Sequence, residues 1–94
     1  MSTTTQILSS IPIDAQTGAI SVPIYQTATF VQEAPGVNKG YDYSRSGNPT
    51  RDQLAAALAD LEGGAGAIVT SSGMAAVALA LELVPHGGLV VAAH

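Results

Sequence analysis

The stretch that decides the fold is AGAIVTSSGMAAVALALELVPHGGLVVAA, residues 65–93. The apolar, partly β-branched run at 65–70 predicts a buried strand, and the Ala/Leu-rich run from Met74 to Val84 predicts a helix. A second apolar run, at 89–93, predicts another buried strand. Strand, helix and strand make a βαβ-like unit, with a right-handed connection if both strands are parallel in one sheet. The sequence therefore predicts the α/β class.

A second helix is predicted just upstream, over residues 51–62. Thr50 followed by Gln53 has the spacing of a capping box, in which both side chains satisfy backbone donors at the start of a helix. Leucines then recur at helical spacing. Gly63 supplies the stop, because glycine adopts the left-handed conformation without steric penalty.

The first half of the chain has a different composition, rich in Ser, Thr, Pro and Gly. Proline removes a backbone donor and favours extended neighbours, so residues 1–49 are predicted to form an extended N-terminal arm. Residues 50–94 are predicted to begin an α/β domain. Continuous apolar strands imply a sheet covered on both faces, which two strands and two helices cannot provide. The chain is therefore predicted to be the opening part of a larger domain.

Length and charge exclude several classes of function. The chain has 94 residues, a net charge of −4 and only three Lys and Arg residues. Its length allows one small domain with a modest core. Binding to nucleic acid or to anionic membranes needs clustered positive charge, so neither partner is predicted. No run is apolar enough to span a membrane, and the N-terminus does not resemble a secretory signal, so a cytoplasmic location is expected. Zero cysteines exclude disulfides and thiolate ligands, and no metal site is predicted.

The turn at 70–74 has the features of an anion site. It lies at the carboxyl end of a predicted strand and the amino end of a predicted helix, where α/β sheets bind ligands. Ser72 offers a hydroxyl, and Gly73 lets the backbone approach a phosphate closely. Simple capping of the helix by a serine is an equally good interpretation. Tyr43 and Arg45, two residues apart on an extended segment, could complete a phosphate site from one side, or be an ordinary exposed pair.

These residues carry a family resemblance. YDYSRSGNPTRDQLAAALADLEGGAGAIVTSSGMAAV, residues 41–77, and TGAISVPIYQTATF, residues 17–30, closely resemble the pyridoxal-phosphate enzymes of cysteine and methionine metabolism. The resemblance covers practically the whole chain. It implies pyridoxal 5'-phosphate as cofactor and a fold type I large domain, aspartate aminotransferase-like, with a mostly parallel sheet.

The resemblance also implies a role for each part of the predicted phosphate site. Tyr43 and Arg45 would reach across a dimer interface to the cofactor phosphate held in the neighbouring subunit. Ser72, Gly73 and Met74 would hold the phosphate in their own subunit. A homo-oligomer, built as a dimer of dimers with shared active sites, is expected from this arrangement.

Other residues near the tyrosine-arginine pair have weaker assignments. Asp42 resembles an acidic position near the substrate pocket, although a solvated turn carboxylate is an equal alternative. Residues 48–50 are interpreted as a structural turn that begins the helix. Tyr25, Gln26 and Tyr41 are interpreted as packing or arm-anchoring groups.

The implied reaction is trans-sulfuration on a small amino-acid substrate. The resemblance slightly favours cystathionine γ-synthase, which joins an O-acylated homoserine to cysteine in methionine biosynthesis; the cystathionine β- and γ-lyases, methionine γ-lyase and the homoserine sulfhydrylases are the alternatives. The chain holds no residue assigned to catalysis, and Lys39 is no substitute for the family's cofactor-binding lysine. It is therefore predicted to be inactive alone. A hypothesis of another class is an inactive fragment that docks on a full-length subunit.

Overall fold

The structure, a computed structural model, describes residues 2–93 and contains three helices. Helix α1 spans Thr3–Ser9, α2 spans Pro49–Glu62 and α3 spans Gly73–Leu81. Helices α2 and α3 confirm the two predicted helices. Helix α1 lies against α2, whereas α3 contacts neither of the other two among the described residues. The outermost residues of the two predicted segments, 1 and 94, lie outside the described range.

Helix α2 begins earlier than predicted because Asn48, and not Thr50, is its N-cap. The Oδ1 atom of Asn48 accepts a hydrogen bond from the Thr50 backbone N–H at 2.9 Å. Pro49 occupies the first helical turn, where its fixed φ fits a helix and its missing N–H is no loss. The predicted Thr50 cap is therefore wrong. The predicted stop is confirmed, since Gly63 ends α2 in the left-handed conformation at φ 64°.

Helix α3 begins one residue before the predicted start at Met74 and ends three residues before the predicted end at Val84. The Ser72 side chain caps it by accepting from the Ala75 N–H at 3.1 Å. The N–H groups of Leu83 and Val84 then bond three residues back, to Ala80 and Leu81, in a tightened turn. A residue that precedes proline is disfavoured in helical conformation, and Pro85 follows directly.

The arm is extended only in part. Residues 3–9 form α1, contrary to the prediction, because Ser2 caps the segment by accepting from the Thr5 N–H at 3.3 Å, and no proline occurs before position 12. Further along the arm, the chain folds back in an antiparallel bridge between Thr29 and Tyr43. A second such bridge joins Ala34 and Val37. The 1–49 boundary of the arm stays a prediction.

The two predicted strands do not form within residues 2–93. Segments 65–70 and 89–93 are unpaired, so the predicted βαβ-like unit is not present. A strand is defined by hydrogen bonds to a neighbour, and neither segment has one in the described part of the chain. Their apolar side chains stay uncovered, as Ile68 and Val91 show at 75% and 86% exposure. The mostly parallel sheet remains a prediction.

The described residues enclose no apolar core, so the expected modest core is wrong. Asn48 is the one buried residue between positions 2 and 93. The accessible surface is 7782 Å², against about 5,000 Å² for a folded monomer of this mass. The radius of gyration is 17.2 Å, against about 12 Å for a compact domain of this length. The apolar faces of α3 and its flanking segments therefore need further protein to cover them.

No helix within residues 2–93 is long and apolar enough to cross a bilayer.

Candidate phosphate-binding site

Tyr43 and Arg45 come together on the surface of the arm, as their spacing predicts. The guanidinium carbon of Arg45 lies 5.4 Å from the centre of the Tyr43 ring, within the range of a cation–π contact. Both side chains are exposed. The backbone beneath them is held by the pairing with residues 28–30, in which the Ser44 N–H donates to the Ala28 carbonyl at 2.8 Å. The guanidinium thus lies over the tyrosine ring on the exposed side of the arm.

The segment that carries this pair is tied to the first turn of α2. The Tyr41 hydroxyl donates to Asp52 Oδ2 at 2.9 Å. Arg51 Nη2 donates to the backbone carbonyl of Arg45 at 3.4 Å, a long bond. The Tyr41 ring also packs on Phe30, with ring centres 5.4 Å apart. This contact and the Asp52 bond confirm Tyr41 as an arm-anchoring residue.

Asp42 is held by a local hydrogen bond. Its Oδ1 accepts from the Tyr43 backbone N–H at 2.6 Å, and its own carbonyl accepts from the Phe30 N–H at 2.9 Å. These bonds give the residue a structural place in the bridge between the two arm segments. Its assignment to the substrate pocket stays a prediction.

The amino end of α3 offers unsatisfied backbone donors. Within residues 2–93, the N–H groups of Gly73 and Met74 donate to no acceptor. Ser72 is exposed and serves as the cap, which satisfies Ala75, while Met74 is 74% exposed. A Cβ atom built on Gly73 would meet no atom within 4 Å. The turn is therefore open to a ligand on that side.

This donor set fits a phosphate. Two free N–H groups point from a helix of nine residues, whose dipole favours a negative charge at that end. The Ser72 hydroxyl keeps its proton available for donation while its oxygen caps the helix. Glycine at position 73 is not required by a left-handed backbone or by a neighbouring side chain, and without a Cβ atom it leaves the backbone open to close approach.

The two parts of the predicted site are not joined within one chain. No hydrogen bond in the described range links Tyr43 or Arg45 to residues 72–74. Arg45 instead lines a cleft of about 310 Å³ together with Arg51 and the 67–69 segment that leads to the turn. The two predicted sets of phosphate ligands, one on the arm and one at α3, are therefore separate within the described chain.

Asp52 raises the pKa of Tyr41 above its usual value of 10.0. The largest cause is the hydrogen bond that the carboxylate accepts, because it stabilises the protonated hydroxyl; burial and the negative charge of Asp52 act in the same direction. A raised pKa means that the folded state holds the proton more tightly than the unfolded state. The bond therefore stabilises the fold below pH 10 and is lost as the pH rises through the raised pKa.

Replacing Asp52 by asparagine is expected to lower the pKa of Tyr41, because an amide accepts the same hydrogen bond without a negative charge. Alkaline titration of tyrosinate absorbance measures this, with Tyr41→Phe identifying the signal. Asp60→Asn, which removes a carboxylate from the same helix, is the matched control. Coincident curves for the two asparagine variants would contradict the assigned contact.

Two side-chain contacts to the backbone of Tyr25 were not predicted from the sequence. Asn48 Nδ2 donates to the Tyr25 carbonyl at 3.2 Å, and Thr50 Oγ1 accepts from the Tyr25 N–H at 2.9 Å. The sequence predicts a local turn and cap at residues 48–50, but it contains no signal for a partner more than twenty positions away.

Comparison with known proteins identifies relatives that match most of the chain. A sequence model of the Cys/Met metabolism PLP-dependent enzymes matches residues 3–94. Cystathionine β-lyase from Lactococcus lactis subsp. cremoris (strain MG1363) is 49% identical over 83 residues, which are 88% of this chain and 22% of that enzyme. Cystathionine γ-synthase from Escherichia coli (strain K12) is 41% identical over 92 residues, covering 97% of this chain and 24% of the relative.

The backbone of the chain is also similar to that of a solved structure of the family. The crystal structure of cystathionine γ-synthase from Xanthomonas oryzae pv. oryzae, in complex with cystathionine, superposes with a TM-score of 0.73 at 46% identity. The match covers 87% of this chain and 21% of that one. The chain thus spans only about a fifth of the length of these relatives.

Proposed function

Because the chain belongs to the Cys/Met metabolism PLP-dependent enzyme family, we propose that it is the N-terminal part of a trans-sulfuration enzyme with shared active sites. The observation that carries the proposal is the family match over residues 3–94, in a chain that covers 22% of a relative such as the Lactococcus lactis lyase. The cofactor of the family is pyridoxal phosphate. The uncovered apolar faces of α3 support a longer protein, called the complete enzyme below.

The phosphate of the cofactor is the group that this chain is equipped to bind. In the proposal, the N–H groups of Gly73 and Met74 and the Ser72 hydroxyl hold it in one subunit. Tyr43 and Arg45 of the neighbouring subunit close the site from the other side. The separation of the two ligand sets within one chain supports this division between subunits. When bound, pyridoxal phosphate withdraws electrons from the α-carbon of an amino acid, and the residues above only bind and orient it.

The proposed reaction is that of cystathionine γ-synthase, in which an O-acylated homoserine is joined to cysteine. Similarity to the Xanthomonas oryzae γ-synthase structure, at 46% identity, supports it. Cystathionine β-lyase is the second candidate, because the Lactococcus lactis β-lyase is 49% identical to this chain while the Escherichia coli γ-synthase is 41% identical. The two reactions share the cofactor and differ in the bond that is broken.

Assays of the complete enzyme distinguish the two reactions. Formation of cystathionine from an O-acylhomoserine and cysteine would support the synthase. Release of a thiol from cystathionine, without synthase turnover, would assign the lyase instead. If neither reaction occurs and no pyridoxal phosphate is bound, the proposed function is wrong.

The isolated 94-residue chain is expected to have no turnover in either assay. Its single lysine, Lys39, is exposed on the arm, and the chain has no other lysine that could bind the cofactor covalently. The measurement is product formation by the purified chain supplied with pyridoxal phosphate, beside the complete enzyme as positive control. Turnover abolished by Lys39→Ala would contradict the prediction.

A further inference from the structure

The amino end of α2 holds the arm through two side chains that bind one backbone unit. Thr50 Oγ1 accepts from the Tyr25 N–H at 2.9 Å, and Asn48 Nδ2 donates to the Tyr25 carbonyl at 3.2 Å. The backbone N–H and the backbone carbonyl of Tyr25 are therefore both satisfied by side chains. A neighbouring β-strand would satisfy the same two groups with its backbone. We call this pair of bonds the Tyr25 clamp.

Asn48 is the centre of the clamp. It is the only buried residue in the described range, at 9% exposure. Its Oδ1 accepts from the Thr50 N–H at 2.9 Å while its Nδ2 donates to Tyr25, so both ends of the amide are used. The partners fix the orientation of the amide, because one is an N–H donor and the other is a carbonyl acceptor.

The clamp closes a ring that contains Arg45. From Tyr25 the arm runs to Ala28, whose carbonyl accepts from the Ser44 N–H at 2.8 Å. From Ser44 the chain passes through Arg45 to Asn48, which returns to Tyr25. Arg45 therefore lies in a short segment that is fixed at both ends by hydrogen bonds. Opening the clamp frees one of these ends.

We infer that Asn48 and Thr50 are positioning residues for phosphate recognition, acting through the place that the clamp gives to Arg45. The inference deepens the proposed function and depends on its assignment of Arg45 to the cofactor phosphate. A guanidinium on a fixed backbone loses less conformational freedom on binding than one on a mobile segment. The clamp thus raises phosphate affinity without touching the ligand.

Substitutions can break the clamp while keeping the helix cap. Asn48→Asp retains an oxygen acceptor for the Thr50 N–H but places a second acceptor against the Tyr25 carbonyl. Thr50→Val has nearly the same shape and removes the acceptor for the Tyr25 N–H. Thr50→Ser keeps the hydroxyl and is the matched control.

The test measures the affinity of the complete enzyme for pyridoxal phosphate and for pyridoxal, which lacks the phosphate. Asn48→Asp and Thr50→Val are each expected to weaken pyridoxal phosphate binding about five- to tenfold. The affinity for pyridoxal should not change in either variant. The control Thr50→Ser should bind pyridoxal phosphate as tightly as the wild-type enzyme does. In an Arg45→Ala background, Asn48→Asp should cause no further loss, because the two residues act through one interaction.

Each other outcome overturns the inference in a distinguishable way. Equal weakening of both ligands would mean that the clamp only supports folding. If Asn48→Asp and Arg45→Ala weaken pyridoxal phosphate binding additively, the clamp does not act through Arg45. If Arg45→Ala weakens binding and neither clamp variant does, the clamp is overturned and the proposed function stands. If Arg45→Ala itself has no effect, both the role of Arg45 and the clamp are wrong. Thr50→Val decides the test if Asn48→Asp does not fold.

Discussion

Replacing Arg45 by alanine in the complete enzyme is expected to weaken pyridoxal phosphate binding by about 10- to 100-fold, from the loss of charge-assisted hydrogen bonds of about 1.5–3 kcal/mol. The side chain is exposed and lies beside the Tyr43 ring, so its removal leaves no cavity and no buried group without a partner. The loss should therefore fall on ligand affinity and leave folding unchanged. Titration of the apoenzyme with cofactor, followed by the absorbance of bound pyridoxal phosphate, measures the dissociation constant.

Two further variants separate charge from geometry. Arg45→Lys keeps the positive charge and loses the planar fork, so an intermediate affinity is expected. Lys39→Ala removes the same charge from elsewhere on the arm and should leave the affinity unchanged. An unaltered dissociation constant for Arg45→Ala would contradict the role assigned to the tyrosine-arginine pair.

The second large effect is expected from mixed oligomers, because the proposal assigns Arg45 and Gly73 of one site to different subunits. Gly73→Val keeps a backbone that any residue can adopt and puts a side chain where a phosphate would approach the free N–H groups. Oligomers built only from Gly73→Val subunits, or only from Arg45→Ala subunits, should bind the cofactor about tenfold more weakly or worse. A dimer of one subunit of each kind should regain one intact site of two.

Differently tagged subunits, purified by both tags in sequence, supply this mixed dimer. Its stoichiometry of tightly bound pyridoxal phosphate should approach one half per subunit. The control is a mixed dimer of a wild-type subunit with a subunit that carries both substitutions. There each site has one intact ligand set and one defective set, so tight binding is not expected. Failure of the first mixture to bind better than its parents would place both ligand sets in the same subunit.

The expected effects differ in what they test. Arg45→Ala tests whether the guanidinium contacts the phosphate, whereas the mixed dimer tests which subunit provides it. Loss of affinity without recovery in the mixed dimer would keep Arg45 as a ligand and reject the shared site. Recovery would support the dimer as the smallest unit with a complete cofactor site.

Local signals in the sequence predicted the helices well. The stop at Gly63 is decided within one turn of helix and is confirmed, and the serine cap, which the sequence offered as one of two interpretations, is formed by Ser72. The pairing of Tyr43 with Arg45 also follows from local geometry, since alternate residues of an extended segment share a side. The helix at 3–9 was not predicted, because the arm as a whole is rich in proline and glycine. Its first eleven residues contain neither of them.

The sequence by itself therefore determined the family and two of the three helices within residues 2–93, whereas its two sets of phosphate ligands stay a prediction. Only the tertiary structure decided that Thr50 and Asn48 hold Tyr25 and that Tyr41 donates to Asp52. It also decided that residues 65–70 remain unpaired. The physical reason is range: a cap is chosen by groups within four residues, whereas a clamp or a strand depends on a partner whose position the rest of the fold sets.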